Sequence, residues 1–341
     1  MNDDALTPAL SQTEREQVRE PLLSVRDLHV DFKVRGEGLL AHKRTLKAVN
    51  GVSFDLYPGE TLGIVGESGC GKSTFARAIL NLIPATAGKV IWMGRDMSGA
   101  MPADWQQVRR NVQMVFQDPL ASLNPRMNVA RIIGEPLRTH RPDMAQAEVL
   151  ARVKAMLVKV GLNEAHLYRY PHEFSGGQCQ RIGIARALIL EPKMIVCDEP
   201  VSALDVSIQA QIINLLKDLQ KEMQLALVFI AHDLAVVKHV SQRILVMYLG
   251  RTMELADKRD LYADPKHPYT RALLSAVPLA DPRLERGKVI QMLSGDLPSP
   301  IDPPSGCVFR TRCPHAFDRC AAEVPPLKAI NEHTQAACWL Y

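Results

Sequence analysis

The chain has 341 residues, 47% hydrophobic and 23% charged, with a net charge of +4. That is ample for a real core and ordinary for a water-exposed globular fold. So mild a charge argues against a nucleic-acid partner, and the strongest apolar run, residues 225–231, is far shorter than the roughly 20 residues of a membrane-crossing helix.

Residues 1–21 are polar and uneven and read as a mobile leader. Asp3 and Asp4 with no apolar stretch behind them do not make a secretory signal. A cytosolic setting follows, in which clustered cysteines lean toward metal rather than disulfides. Residues 22–32 alternate as a strand does, 35–44 read as a basic exposed loop, and 49–56 read as a second strand. The turn Tyr57-Pro58-Gly59-Glu60 leads into 61–65, an apolar run that suits a buried strand. Another strand is expected over 108–116. Residues 129–167 are mostly helical in pattern, with Val149, Val153, Met156, Leu157 and Val160 on one face. Compact apolar strands are expected at 194–197 and 225–231, and between them Ile208, Ile212, Leu215, Leu219 and Met223 line a helix. This alternation predicts an α/β fold with a largely parallel sheet. Beyond about residue 257 the texture changes. Pro298, Pro300, Pro303 and Pro304 crowd the approach to Cys307, which reads as a separate extension poor in regular structure.

Three motifs carry chemistry. Gly66-Glu67-Ser68-Gly69-Cys70-Gly71-Lys72-Ser73 fits the phosphate-binding pattern G-x-x-x-x-G-K-[ST], with Thr74 next and a strand and a helix on either side. Glycines let backbone N–H groups turn toward phosphates, and the helix offers its positive end. Lys72 is expected to reach the β- and γ-phosphates and Ser73 to hold Mg²⁺. Residues 194–197 end in Asp198 and Glu199, where α/β sheets bind ligands. Asp198 is expected to hold magnesium and Glu199 to polarise an attacking water. Ser175-Gly176-Gly177-Gln178 offers a hydroxyl and helix-end N–H groups, a second anion site.

Taken in order with Gln117, Ser202-Ala203-Leu204-Asp205 and His232, these motifs resemble a complete ATP-binding cassette (ABC) nucleotide-binding domain over residues 22–260, with a helical subdomain at about 120–180. The resemblance implies that Gln117 senses magnesium or water and that His232 stands near the γ-phosphate. It further implies that Asp205 communicates across a dimer and that Phe32 stacks on adenine. In ABC proteins the signature loop of one domain faces the phosphate loop of another, so a second ATPase domain is implied.

Residues 261–341 extend the resemblance. Lys266-His267-Pro268-Tyr269-Thr270-Arg271-Ala272-Leu273 and the stretch from Pro304 to Pro314 are similar to the C-terminal region of the oligopeptide/dipeptide importer ATPases. Residues 173–181 and 197–202 most resemble the F-type ATPase subunits of oligopeptide permeases. The implied role is ATP-driven oligopeptide import at the cytoplasmic face of the bacterial inner membrane. Implied partners are a D-type ATPase subunit, two membrane permease subunits and a periplasmic peptide-binding protein. Residues 120–170 would receive the permeases. An importer of dipeptides, nickel or glutathione is the alternative within transport, and a soluble ABC regulator is the alternative outside it.

Cys307, Cys313, Cys320 and Cys338 remain. Their spacings, C-x5-C, C-x6-C and C-x17-C, match neither common zinc pairs nor common ferredoxin runs. Zinc, a [4Fe–4S] cluster and free thiols all stay open on spacing, with His315 and His333 as alternative ligands. The family resemblance implies a [4Fe–4S] cluster in this region, serving as a clamp rather than in electron transfer. Cys70, Cys179 and Cys197 read as small buried side chains.

Overall fold

The computed structural model describes residues 20–35, 43–278, 281–293 and 295–341. Most of the expected leader (1–19) and loop (36–42) lies outside the described residues. In chain order, β1 (Leu23–Arg35), β2 (Lys43–Leu56) and β3 (Thr61–Val65) precede α1 (Lys72–Ile79). β4 (Ala87–Trp92), β5 (Arg95–Asp96), α2 (Pro102–Asn111) and β6 (Val112–Val115) follow. A helical block comes next, α3 (Val129–His140), α4 (Gln146–Lys159) and α5 (Gly176–Leu188). The chain then alternates through β7 (Met194–Asp198), α6 (Val206–Met223), β8 (Ala226–Ala231), α7 (Leu234–Val240), β9 (Arg243–Tyr248) and β10 (Arg251–Asp257). It closes with α8 (Lys258–Ala263), α9 (Pro268–Ala276), α10 (Pro282–Arg286), α11 (Asp318–Ala322), β11 (Lys328–Asn331) and β12 (Thr334–Ala336).

Among the described residues the strands form two sheets. One is antiparallel, in the order β2-β1-β4-β5; the other runs β11-β12-β10-β9-β3-β8-β7-β6. Within the second, β9, β3, β8, β7 and β6 are mutually parallel. Their short apolar runs are buried on both faces, as parallel strands are. Alternate residues accordingly enter different cores. Leu227 and Phe229 of β8 pack with the helical block, while Val228 and Ile230 pack with α1 and the smaller sheet.

Two expectations need correction. The strand expected over 108–116 is instead the end of α2 followed by β6. Pro102 starts the helix, the Asp104 carboxylate accepts the Met101 N–H at 3.2 Å, and Trp105 and Val108 are buried one turn apart. The extension is also more regular than its prolines suggest. β12 pairs antiparallel with β10 and β11 with β12, so the tail lengthens the large sheet. Phe309, fully buried, joins the same core as the helical block. Its ring centroid lies 5.3 Å from Tyr248 and 5.3 Å from Tyr269.

The start of α9 is fixed by two buried polar groups. Glu254 accepts the N–H groups of Lys266 and His267 at 2.8 and 2.9 Å. His267 Nδ1 then caps the helix by accepting the Tyr269 N–H at 3.1 Å. That acceptor role requires an unprotonated nitrogen. Burial, reinforced by the Arg271 charge, pushes the His267 pKa down from 6.5 to about 3. Below the unfolded value the unfolded chain binds a proton that the folded chain refuses. Stability is therefore full above that pH and falls as pH drops toward the folded value. The expected loss is roughly 2 kcal/mol between pH 7 and pH 5. His267→Asn, which keeps a cap acceptor but does not titrate, should lose less over the same interval. Urea denaturation of both proteins at the two pH values checks this.

Candidate functional site

Because β3, β8, β7 and β6 lie side by side and parallel, their C-terminal ends share one edge. The phosphate-loop sequence leaves β3, His232 follows β8, Asp198 ends β7, and Gln117 stands just past β6. Ligands bind at such edges because helix N-termini and free backbone groups gather there.

The loop from Gly66 to Gly71 wraps the buried Lys72 side chain, whose Nζ donates to the Gly66 carbonyl at 2.7 Å and the Glu67 carbonyl at 3.0 Å. Ser73 Oγ donates to Asp198 Oδ1 at 2.7 Å, joining α1 to β7. Burial raises the Asp198 pKa, and the Ser73 hydrogen bond and the Arg77 charge oppose that rise. A hydroxyl beside a carboxylate is a hard-oxygen pair that fits Mg²⁺, which uses few protein ligands and leaves room for phosphate oxygens.

Glu199 is the hub. Its backbone is left-handed, φ 45°, which is costly for a residue with a Cβ. Two contacts hold it there: its N–H donates to the Ile230 carbonyl at 3.1 Å, and Ser202 Oγ donates to its carbonyl at 3.1 Å. The carboxylate accepts from Gln117 Nε2 at 3.2 Å and lies 3.8 Å from Lys72 Nζ and 3.7 Å from His232 Nδ1. One pocket includes Ser68, Gly69, Cys70, Gly71, Lys72, Ser73 and Thr74, with Gln117 and Glu199 across from them. Phe32 lines it too. Asp198 and His232 reach it through Ser73 and Glu199.

The structure keeps Ser175–Gln178 apart from this pocket, none of these residues lining it. They begin α5 as a capping box: Ser175 Oγ accepts the Gln178 N–H at 3.4 Å, and Gln178 Oε1 accepts the Ser175 N–H at 3.0 Å. A Cβ on Gly177 would lie 2.5 Å from Ile208 Cγ2, so this loop packs closely on the start of α6. Asp205 stands exposed at that start, beside the exposed Val206.

The four tail cysteines are free, with Cys307 and Cys320 buried and Cys313 and Cys338 half-buried. The Cys307 N–H donates to the Cys320 carbonyl at 2.8 Å. Burial, with Cys320, Cys313 and Cys338 adding, pushes the Cys307 thiol up to about 11. Burial raises Cys313 and Cys338 as well. The thiols share one neighbourhood. As placed they do not make a ligand set: among the described residues no group of three or more His, Cys, Asp or Glu could hold a metal ion. Cys70, Cys179 and Cys197 are buried, and burial raises the pKa of each.

Sequence reasoning missed several residues at the pocket. Leu46, Lys47 and Ala48 of β2 line it, as do Leu249 and Gly250 and, from the extension, Pro300. It also missed two contacts on Glu67: Tyr269 OH accepts its N–H at 2.9 Å, and Arg312 pairs with its carboxylate at 2.8 Å. The available signals were the proline cluster and the unexplained His267-Pro268-Tyr269 run.

The ABC transporter family model matches residues 49–202, and that for the C-terminal region of oligopeptide/dipeptide transporters matches 253–320. The oligopeptide transport ATP-binding protein OppF of Haemophilus influenzae is 62% identical over 322 residues, covering 94% of this chain and 97% of that one. OppF of Escherichia coli is 62% identical over 318 residues, covering 93% and 95%. A solved dimer of the ATP-binding cassette MJ0796, in a post-hydrolysis state bound to ADP and Pi, has a TM-score of 0.62 at 29% identity, covering 70% of this chain and 99% of that one. The cbiO1 component of an ABC transporter complex from Clostridium perfringens shares the fold, with a TM-score of 0.62 at 24% identity over 72% of this chain and 92% of its own. Among the described residues no helix is long and apolar enough to cross a membrane.

Two glycines of the loop separate backbone strain from collision. Gly69 has φ 77° with nothing within 4 Å of an added Cβ, whereas Gly71 has φ 101° and its Cβ would lie 2.0 Å from the Ala48 carbonyl oxygen. Gly69→Ala should cost about 1–2 kcal/mol and retain ATP binding. Gly71→Ala must move the loop against β2 and should lose ATP binding in a fluorescent-nucleotide titration.

Proposed function

This chain belongs to the ABC-family ATP-binding proteins of oligopeptide transport, and we propose that it powers import of oligopeptides as the F-type ATPase subunit. The enzyme activity is that of an ABC ATPase, hydrolysis of ATP to ADP and phosphate. The observation that carries the reading is the meeting of Lys72, Ser73, Gln117, Asp198, Glu199 and His232 at one sheet edge, on a chain whose extension matches the oligopeptide/dipeptide transporter C-terminal region.

Each residue has a physical task in this reading. Lys72 and the N–H groups opening α1 hold the β- and γ-phosphates. Ser73 and Asp198, with Gln117, hold magnesium. Bound there, the ion would bridge phosphate oxygens and offset their charge. Glu199 accepts the proton of the attacking water. Gln117 and His232 orient that carboxylate and the γ-phosphate end of the pocket, and Phe32 stacks on the base. Gly66, Glu67, Ser68, Gly69, Cys70, Gly71 and Thr74 shape the phosphate cradle. Ser175, Gly176, Gly177 and Gln178 serve the nucleotide of a facing ATPase subunit, with Asp205 at the same boundary.

The proposed complex pairs this chain with a D-type ATPase on two permease subunits at the cytoplasmic face of the inner membrane. A periplasmic peptide-binding protein supplies the cargo. The cassette spans 22–260 with its helical subdomain at about 120–180, followed by the extension over 261–341. In the proposed complex Cys307, Cys313, Cys320 and Cys338 take a [4Fe–4S] cluster. The support is the donor set, four free thiols in one neighbourhood. Their raised pKa values mean that loading must release protons.

Glu199→Gln should retain ATP, trap the closed ATPase pair, and lower turnover of the assembled complex by at least about 10²-fold. Rapid hydrolysis by that complex would overturn the assigned base. Purification without oxygen should recover two membrane subunits and a second ATPase with this chain, with iron and a visible absorption band. Recovery of this chain alone argues for a soluble regulator. A colourless, iron-free complex that transports removes the cluster from the function.

A further inference from the structure

We infer that Arg312 and Tyr269, both in the C-terminal extension, are positioning residues for the phosphate loop. They hold it through Glu67 from opposite ends. Tyr269 OH accepts the Glu67 backbone N–H at 2.9 Å, and Arg312 Nη1 meets the Glu67 carboxylate at 2.8 and 3.1 Å. The contacts join the two family matches, one in 49–202 and the other in 253–320.

Both partners are rigidly placed. Tyr269 is fully buried on α9, whose start is fixed by His267 and Glu254. The Arg312 side chain is 9% exposed. Its backbone N–H donates to the carbonyl of Phe309 at 3.0 Å, and Phe309 is locked among the rings of Tyr248 and Tyr269. Arg312 Nη1 also approaches the Tyr248 hydroxyl at 3.5 Å. A short, half-buried pair held on both sides has little side-chain entropy left to lose, unlike a surface ion pair.

The charge has a purpose. A loop that must accept a triphosphate carries a carboxylate of its own at Glu67. Unopposed, that negative charge repels the ligand, and in a partly buried site it is poorly screened. Arg312 neutralises it and draws it away from the cradle. The Tyr269 hydroxyl fixes the backbone of the same residue, so that the following N–H groups point into the pocket. The extension thereby acts on ATP affinity without touching ATP.

The test is ATP titration of the purified full-length chain, with thermal melts to confirm folding. Arg312→Met should weaken ATP binding by about tenfold, and Arg312→Lys, which keeps the charge, should restore most of it. In Glu67→Gln the charge to be neutralised is gone, so adding Arg312→Met to it should change affinity by less than about twofold. Tyr269→Phe, which removes one hydroxyl and keeps the ring, should weaken binding several-fold. Wild-type affinity in folded Arg312→Met or in folded Tyr269→Phe overturns the inference. A full additive loss in the double variant also overturns it, since Arg312 would then act by packing alone. If Arg312→Met does not fold, Arg312→Lys and Tyr269→Phe decide. This role rests on the nucleotide-binding reading, which Lys72→Ala tests separately: that variant should not bind ATP, and if it does the reading itself fails.

Discussion

The parallel pairing of β9, β3, β8, β7 and β6 is the constraint on which the site depends. Hydrogen-bonded register between Val65 and Ala231, and between Asp198 and Ile230, brings three strand ends to one level. Every reacting group is then a short loop away from a rigid, doubly buried strand. The left-handed turn at Glu199 is affordable only because β8 grips it through the Ile230 carbonyl. A strand that slipped by one residue would turn the side chains of Ile230 and Phe229 into the wrong cores and loosen that grip.

The chemistry was legible where it sits in contiguous residues. Gly66 to Ser73 contains its own strand, turn and helix start, so local sequence states both the shape and the task. Asp198-Glu199 and Ser175 to Gln178 are legible for the same reason, because an apolar run or a capping box surrounds each. β3 was read to the residue, since five apolar or small residues between turn-formers admit little else. What failed was long-range or weakly patterned. Val108 is apolar and adjoins a real strand, so the stretch read as one element although proline and a capping carboxylate had already committed it to helix. β11 and β12 are short and half polar, and exist only because β10 offers them a ladder.

The contacts on Glu67 were illegible in principle. Tyr269 is 202 residues from it and Arg312 is 245 away. No local pattern encodes such a meeting. The His267-Pro268-Tyr269 run looked like a family mark, and in space it is a capped helix start that aims one hydroxyl at the phosphate loop. The tail is therefore built into the motor. Its aromatic residues share the motor's core, its hairpin shares the motor's sheet, and its arginine shares the motor's charge.

The tail hairpin has a further effect at the margin of the large sheet. β10, seven residues long with Met253 and Leu255 buried, would otherwise offer a row of free backbone groups along its outer side. β12 occupies that row at Glu254, Leu255 and Ala256, and β11 closes the sheet with a strand of four residues. The opposite margin, β6, is also four residues long. Two brief, partly polar rims give another chain little to zip onto. A subunit that is made in water and must wait for its partners is thereby kept from self-association by the same segment that carries the cysteines.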